Sequence, residues 1–121
     1  MSDFDPRKDE DRAYLAGALT AYALGLKAEE VLGGGRGSAA ESRARQVAMY
    51  LLRACLGMSL SRVAHAFGRD RSTVAYACHV IEDLRDDPDF DLWVEQLSVG
   101  LCSVSVLGGT SFEDARIACA G

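Results

Sequence analysis

The sequence predicts an all-α protein: a helical bundle containing a helix-turn-helix, with an irregular C-terminal tail. Three observations carry that expectation. Apolar residues recur at three- and four-residue spacing along most of the chain, the period of a helix with one buried face. Glycines and a single Asp-Pro step divide the pattern into helix-sized pieces. Two of those pieces are joined by a tight glycine-containing turn, and the second is entered by polar and basic residues.

The bounds set by composition agree with one such domain. The chain has 121 residues, 49 % apolar and 26 % charged, the balance of an ordinary globular domain with a modest core. No apolar run approaches the roughly 20 residues that span a bilayer. The N-terminus Met1-Ser2-Asp3-Phe4-Asp5-Pro6 is acidic where a secretory signal is basic. A cytoplasmic protein with no membrane partner is therefore expected.

Element by element, residues 1–11 are polar, contain Pro6 and read as a flexible acidic arm. From Arg12 to Leu24, residues Leu15, Ala18, Leu19, Tyr22 and Ala23 keep helical spacing, and Gly25 ends the run as a helix C-cap would. Lys27 to Leu32 makes a short helix with Leu26, Val31 and Leu32 turned inward. Gly33-Gly34-Gly35-Arg36-Gly37-Ser38 is a loop. Ser42 is the expected N-cap of a central helix running to about Leu56, with Val47, Ala48, Leu51, Leu52, Ala54 and Cys55 covering a wide apolar face.

After Gly57, Ser59 caps a short helix with Leu60, Val63, Ala64 and Phe67 inward. Gly68 and Arg69 turn the chain, and Asp70 caps a longer helix whose Val74, Ala77, Cys78, Ile81 and Leu84 form one stripe. Asp86-Asp87-Pro88 stops it. Asp89 to about Val99 reads as a last helix that buries Phe90, Trp93, Val94 and Leu97. Residues 99–107 alternate apolar with small polar residues and read as strand-like. The domain is expected over 12–98 and the tail over 99–121.

Charge is unevenly spread. Residues 1–41 carry −3, residues 42–81 carry +5, and residues 82–121 carry −7, for a net −5. The middle third holds Arg43, Arg45, Arg53, Arg62, Arg69 and Arg71 against Asp70 alone. An acidic total weakens long-range attraction to a polyanion, but a local cationic face decides how many phosphates can be neutralised. The first turn of the helix after Gly68 offers unpaired N–H groups and the positive end of a helix dipole. Arg69 and Arg71 flank that turn. Ser72 and Thr73 add hydroxyls that reach phosphates or base edges, and Ala75, Tyr76 and His79 face outward. Double-stranded DNA is the expected partner.

Other chemistry is less well supported. Cys55, Cys78, Cys102 and Cys119 form no C-x-x-C pair; three sit among apolar neighbours, and all read as core thiols. His65 and His79 lie in no catalytic pattern. Glu82, Asp83, Asp86, Asp87, Asp89, Asp91 and Glu95 do not match a calcium loop and read as a solvated acidic face. No enzyme activity, cofactor or metal is expected.

The runs Ser42-Arg43-Ala44-Arg45-Gln46-Val47-Ala48-Met49, Leu60 through Gly68, and Arg69-Asp70-Arg71-Ser72-Thr73-Val74 together resemble the C-terminal DNA-binding domain of the bacterial replication initiator DnaA family. A fainter likeness at Leu26–Leu32 resembles the short helix before that domain's basic loop, so the resemblance covers about residues 12–97. In that family the basic loop inserts an arginine into the minor groove and an Asp-His-Ser-Thr segment reads the major groove. The basic middle third, the loop cation and the outward helix face, taken together with the resemblance, give an expected DNA-binding set of Arg36, Arg43, Arg45, Gln46, Arg62, Arg69, Asp70, Arg71, Ser72, Thr73 and Tyr76. Arg45 and Gln46 would sit near the DNA backbone, and Asp70, Ser72 and Thr73 at the groove.

The sequence departs from the family pattern in three places. Arg36 is the loop's one cation, the turn has one glycine rather than two, and Arg71 replaces the family's histidine. Arg71 could donate to a phosphate or to guanine. No Gly-x-x-x-x-Gly-Lys-Ser/Thr run occurs in these residues, so they are not expected to act as an initiator by themselves. The implied function is a DNA-binding protein that regulates replication initiation. The alternative is an interaction module that contacts the initiator or its regulatory proteins with little DNA binding of its own.

Overall fold

A computed structural model describes residues 6–33 and 37–107 of the chain. They form six helices: α1 (Pro6–Leu24), α2 (Ala28–Leu32), α3 (Ala39–Ala54), α4 (Leu60–Phe67), α5 (Arg71–Leu84) and α6 (Pro88–Leu107). No strand occurs among the described residues. The fold class expected from the sequence is the one observed.

α3 is the axis. It packs against every other helix, and Val47, Ala48, Met49, Leu51 and Leu52 are all but fully shielded. The core then adds Val63 and Ala64 of α4, Val74, Ala77 and Ile81 of α5, and Val94, Leu97 and Leu101 of α6. A smaller apolar cluster of Ala21, Val31 and Ala44 seats α2 between α1 and α3. There Gly17 allows a close approach: a Cβ on it would lie 2.6 Å from a Leu32 methyl.

Two helix starts, one cap bond and the C-terminal segment differ from the sequence reading. The expected arm is helical from Pro6, a residue suited to a helix's first position because its missing N–H has no partner there. The cap of α3 is Ser38, whose hydroxyl accepts from the Glu41 amide at 3.2 Å, so the helix starts well before Ser42 and ends at Ala54. Asp70 sits at the N-cap position of α5, but its carboxylate makes no capping hydrogen bond. Residues 99–107 are helical, not strand-like. Val94, Leu97 and Leu101 bury at spacings of three and four, and that period prevails over the local alternation.

The cysteines also depart from the expectation of core thiols. Cys55, at the end of α3, and Cys102 of α6 are joined by a disulfide with Cα atoms 6.6 Å apart. Cys78 is a half-buried free thiol, and burial pushes its pKa up. Cys119 lies outside the described residues.

Candidate nucleic-acid interface

The helix-turn-helix consists of α4 and α5 around Gly68. Ser59 starts α4 with its hydroxyl accepting from the Arg62 amide at 3.2 Å. Gly68 ends it at φ +63°, ψ +39°, a left-handed conformation that costs glycine little. The Arg69 amide returns to the Ala64 carbonyl at 2.9 Å, which closes the turn. Asp70 then leads into α5.

α5 divides cleanly into two faces. Val74, Ala77 and Ile81 are buried against α3 and α4, whereas Arg71, Ser72, Thr73, Ala75, Tyr76 and His79 are exposed. Tyr76 is 64 % exposed, a large ring left in solvent one turn beyond the helix start. Because the core anchors the opposite side of α5, these side chains stand on a rigid ridge.

The remaining expected site residues are not all gathered there. Arg45 is 9 % exposed. Its Nε donates to the Val31 carbonyl at 2.8 Å and an Nη to the Gly33 carbonyl at 3.2 Å. Expected beside the DNA backbone, its side chain here ties the end of α2 to α3. Arg69 donates to the same Gly33 carbonyl at 3.3 Å, so two guanidinium groups converge on the base of the glycine-rich loop. Desolvation first, and then the positive charge of Arg69, lower the pKa of Arg45.

Arg62 is likewise engaged inside the fold. It meets both carboxylate oxygens of Asp9, Nε to Oδ2 at 2.9 Å and Nη2 to Oδ1 at 2.7 Å. The Arg62 side chain remains 34 % exposed while that of Asp9 is 1 % exposed. Arg43 is exposed on α3 and donates to Gln46 Oε1 at 3.1 Å. Arg36 lies outside the described residues.

The acidic face is partly organised rather than simply solvated. Arg85 donates to Asp91 Oδ1 at 2.5 Å, to Glu95, and to the Tyr50 hydroxyl at 2.9 Å. Tyr50 in turn donates to Glu82 Oε2 at 2.6 Å. Asp91 chiefly, with Glu95 and Tyr50, raises the Arg85 pKa against the cost of burial. This network pins the C-terminal end of α5 to α6. Asp87 accepts from the amides of Asp89 and Phe90 and caps α6. Among the described residues no group of three or more His, Cys, Asp or Glu is placed to hold a metal ion. No described helix is long and apolar enough to cross a membrane.

A short capped helix, a left-handed glycine turn and a second helix with one buried and one bare face define a helix-turn-helix protein. Comparison with known proteins narrows the class. A family model described as the bacterial dnaA protein helix-turn-helix matches residues 18–81. The chromosomal replication initiator protein DnaA of Tropheryma whipplei is 44 % identical over 66 residues, covering 54 % of this chain and 14 % of that protein. The DnaA of Mycobacteroides abscessus is 43 % identical over 60 residues, covering 50 % and 12 % respectively. A crystal structure of a DNA replication initiation factor superposes with a TM-score of 0.71 at 31 % identity, over 80 % of this chain and 30 % of that one. The chain belongs to the bacterial DnaA helix-turn-helix family. It spans 12–14 % of the length of the curated relatives.

Proposed function

We propose that this protein binds double-stranded DNA, with α5 in the major groove and α4 across the backbone, in the control of chromosomal replication initiation. The bare face of α5 carries the proposal: Arg71, Ser72, Thr73 and Tyr76 are exposed on a helix whose other side is fixed in the core. That is the arrangement in which a recognition helix meets base edges. The matched relatives are named as replication initiators, which supports the link to initiation. The binding unit is residues 12–98 together with the first turns of α1, because Asp9 grips Arg62 of α4. A cytoplasmic, nucleoid-associated location follows from this function.

Phosphate contact falls to fewer residues than the sequence implied. Arg45 is buried and Arg62 is held by Asp9, whereas Arg43 and Arg71 are exposed and Arg69, though it donates to Gly33, is only half-buried; these three are the described candidate arginines nearest that task. This thinning favours one second reading, an interaction module that contacts the initiator or its regulators. Genome-wide occupancy of the tagged protein, mapped beside that of the initiator in the same cells, tests the proposal. Shared or adjacent sites are expected. Occupancy unrelated to DNA sequence, with co-purification of the initiator at micromolar concentration, would replace it with the second reading.

A further inference from the structure

Cys55 ends α3 and Cys102 lies in α6, 47 residues further along, and a disulfide joins them. Cys102 is exposed and Cys55 half-buried, so small thiols and disulfides can reach the pair from solvent. α6 as a whole lies beyond residues 18–81, the stretch matched by the helix-turn-helix family model. The bond therefore fastens a helix outside the matched unit to the helix at its centre. We propose that Cys55 and Cys102 are a reversible redox pair that locks the second half of α6 onto α1 and α3.

The two halves of α6 are held differently. Arg85 reaches Asp91 and Glu95 in the first half, whereas the second half rests on buried Leu97 and Leu101 and on the disulfide. Gly100 brings that half close to α1: a Cβ on it would lie 3.6 Å from a Leu19 methyl. A covalent tie across 47 residues limits the freedom of the opened chain, so its loss is felt first in this half. The fold also accommodates two thiols in place of the bond. Cys55 Sγ is 3.3 Å from the Ser98 carbonyl oxygen and Cys102 Sγ is 3.9 Å from the Cys55 carbonyl oxygen. Each reduced sulfur thus has an acceptor already in place. Finally, the cytoplasmic location proposed above supplies a reducing thiol pool, in which a reachable disulfide lasts only while an oxidant is present.

The oxidant is a low-molecular-weight disulfide. The exposed Cys102, as thiolate, attacks one of its sulfurs and expels the first small thiolate. Cys55, as thiolate, then attacks the Cys102 sulfur of the mixed disulfide, forms the Cys55–Cys102 bond and expels the second. Two protein thiols lose two protons and two electrons, and one small disulfide becomes two small thiols. An excess of small thiol runs both steps backwards.

The test equilibrates the full chain with reduced and oxidised glutathione in graded ratios, followed by rapid alkylation and peptide mass spectrometry. A Cys55–Cys102 cross-link is expected to appear at oxidising ratios and to vanish when the ratio is reversed. On reduction the melting temperature should fall by roughly 10 °C. Amide exchange should quicken about tenfold or more across residues 96–107, with the buried core of α3 little changed. Cys102→Ser, at an exposed position, should melt like reduced wild type and ignore the glutathione ratio. No cross-link at any ratio, or one from Cys102 to Cys78 or Cys119, would overturn the assignment. So would a Cys55–Cys102 bond that forms without altering melting or exchange. A bond that resists a large excess of reduced glutathione in the folded protein would make the pair a permanent staple, which also contradicts the proposal.

Discussion

The Arg62 guanidinium embraces the Asp9 carboxylate through both oxygens, at 2.9 and 2.7 Å, while Arg12 closes on the same carboxylate at 3.1 Å. Asp9 is shielded from solvent, so this contact fastens the first turns of α1 to the first helix of the helix-turn-helix. Removing the carboxylate leaves two guanidinium groups facing each other. Asp9→Ala should destabilise the fold by about 1–3 kcal/mol, between the values of exposed and fully buried pairs. Urea titration measures it, and an unchanged midpoint would contradict the account.

The same pair predicts an acid dependence. Hydrogen bonding from Arg62 holds the Asp9 carboxyl below its ordinary value of 3.8, and the cost of burial only partly offsets it. A carboxyl with a lowered folded-state pKa contributes stability above its unfolded value, and loses it as pH falls through the folded one. The stability gap between wild type and Asp9→Asn should therefore be constant above about pH 5 and shrink below about pH 4. Melting temperatures of both proteins across that range check it.

Arg45 is expected to act through stability rather than through DNA charge. Arg45→Ala strips donors from the Val31 and Gly33 carbonyls and should cost about 1–3 kcal/mol. Arg45→Lys, with one point donor for two carbonyls, should rescue only part. If Arg45→Ala instead left the melting temperature unaltered and flattened the salt dependence of binding, its role would be at the phosphates.

Tyr50 joins Glu82 of α5 to Arg85 and, through Arg85, to Asp91 and Glu95 of α6. Tyr50→Phe removes one hydroxyl that both donates and accepts, so a loss of about 1 kcal/mol is expected. Arg85→Ala should cost more, because it releases three partners at once. Differential scanning calorimetry orders the two variants, and the reverse order would contradict the network.

The pattern of apolar residues announced the helices because a buried stripe demands helical period whatever the local propensities. That logic located α4, Gly68 and α5, including the bare face of α5. It failed where the governing contact is distant in sequence. Asp9 reads as one acid among several in an arm until Arg62, far along the chain, gives it a partner. Arg45 reads as a free cation because carbonyls of Val31 and Gly33 leave no trace in side-chain chemistry. Val99, Val104 and Val106 look strand-like in isolation, and Leu101 settles the matter by needing the core. Tyr50 did not stand out in the apolar pattern, and nothing in the sequence pairs its hydroxyl with Glu82 and Arg85.

The most direct measurement is duplex-DNA affinity as a function of salt, read by fluorescence anisotropy. With Arg43, Arg69 and Arg71 as the described candidate arginines left for DNA, log K should fall with log salt at a slope between about −2 and −3, the shallower figure holding where one of the three meets a base instead of a phosphate. Measurable binding at low salt with that slope is the predicted result; no detectable binding at low salt, or an affinity indifferent to salt, would contradict a DNA-binding role for α5.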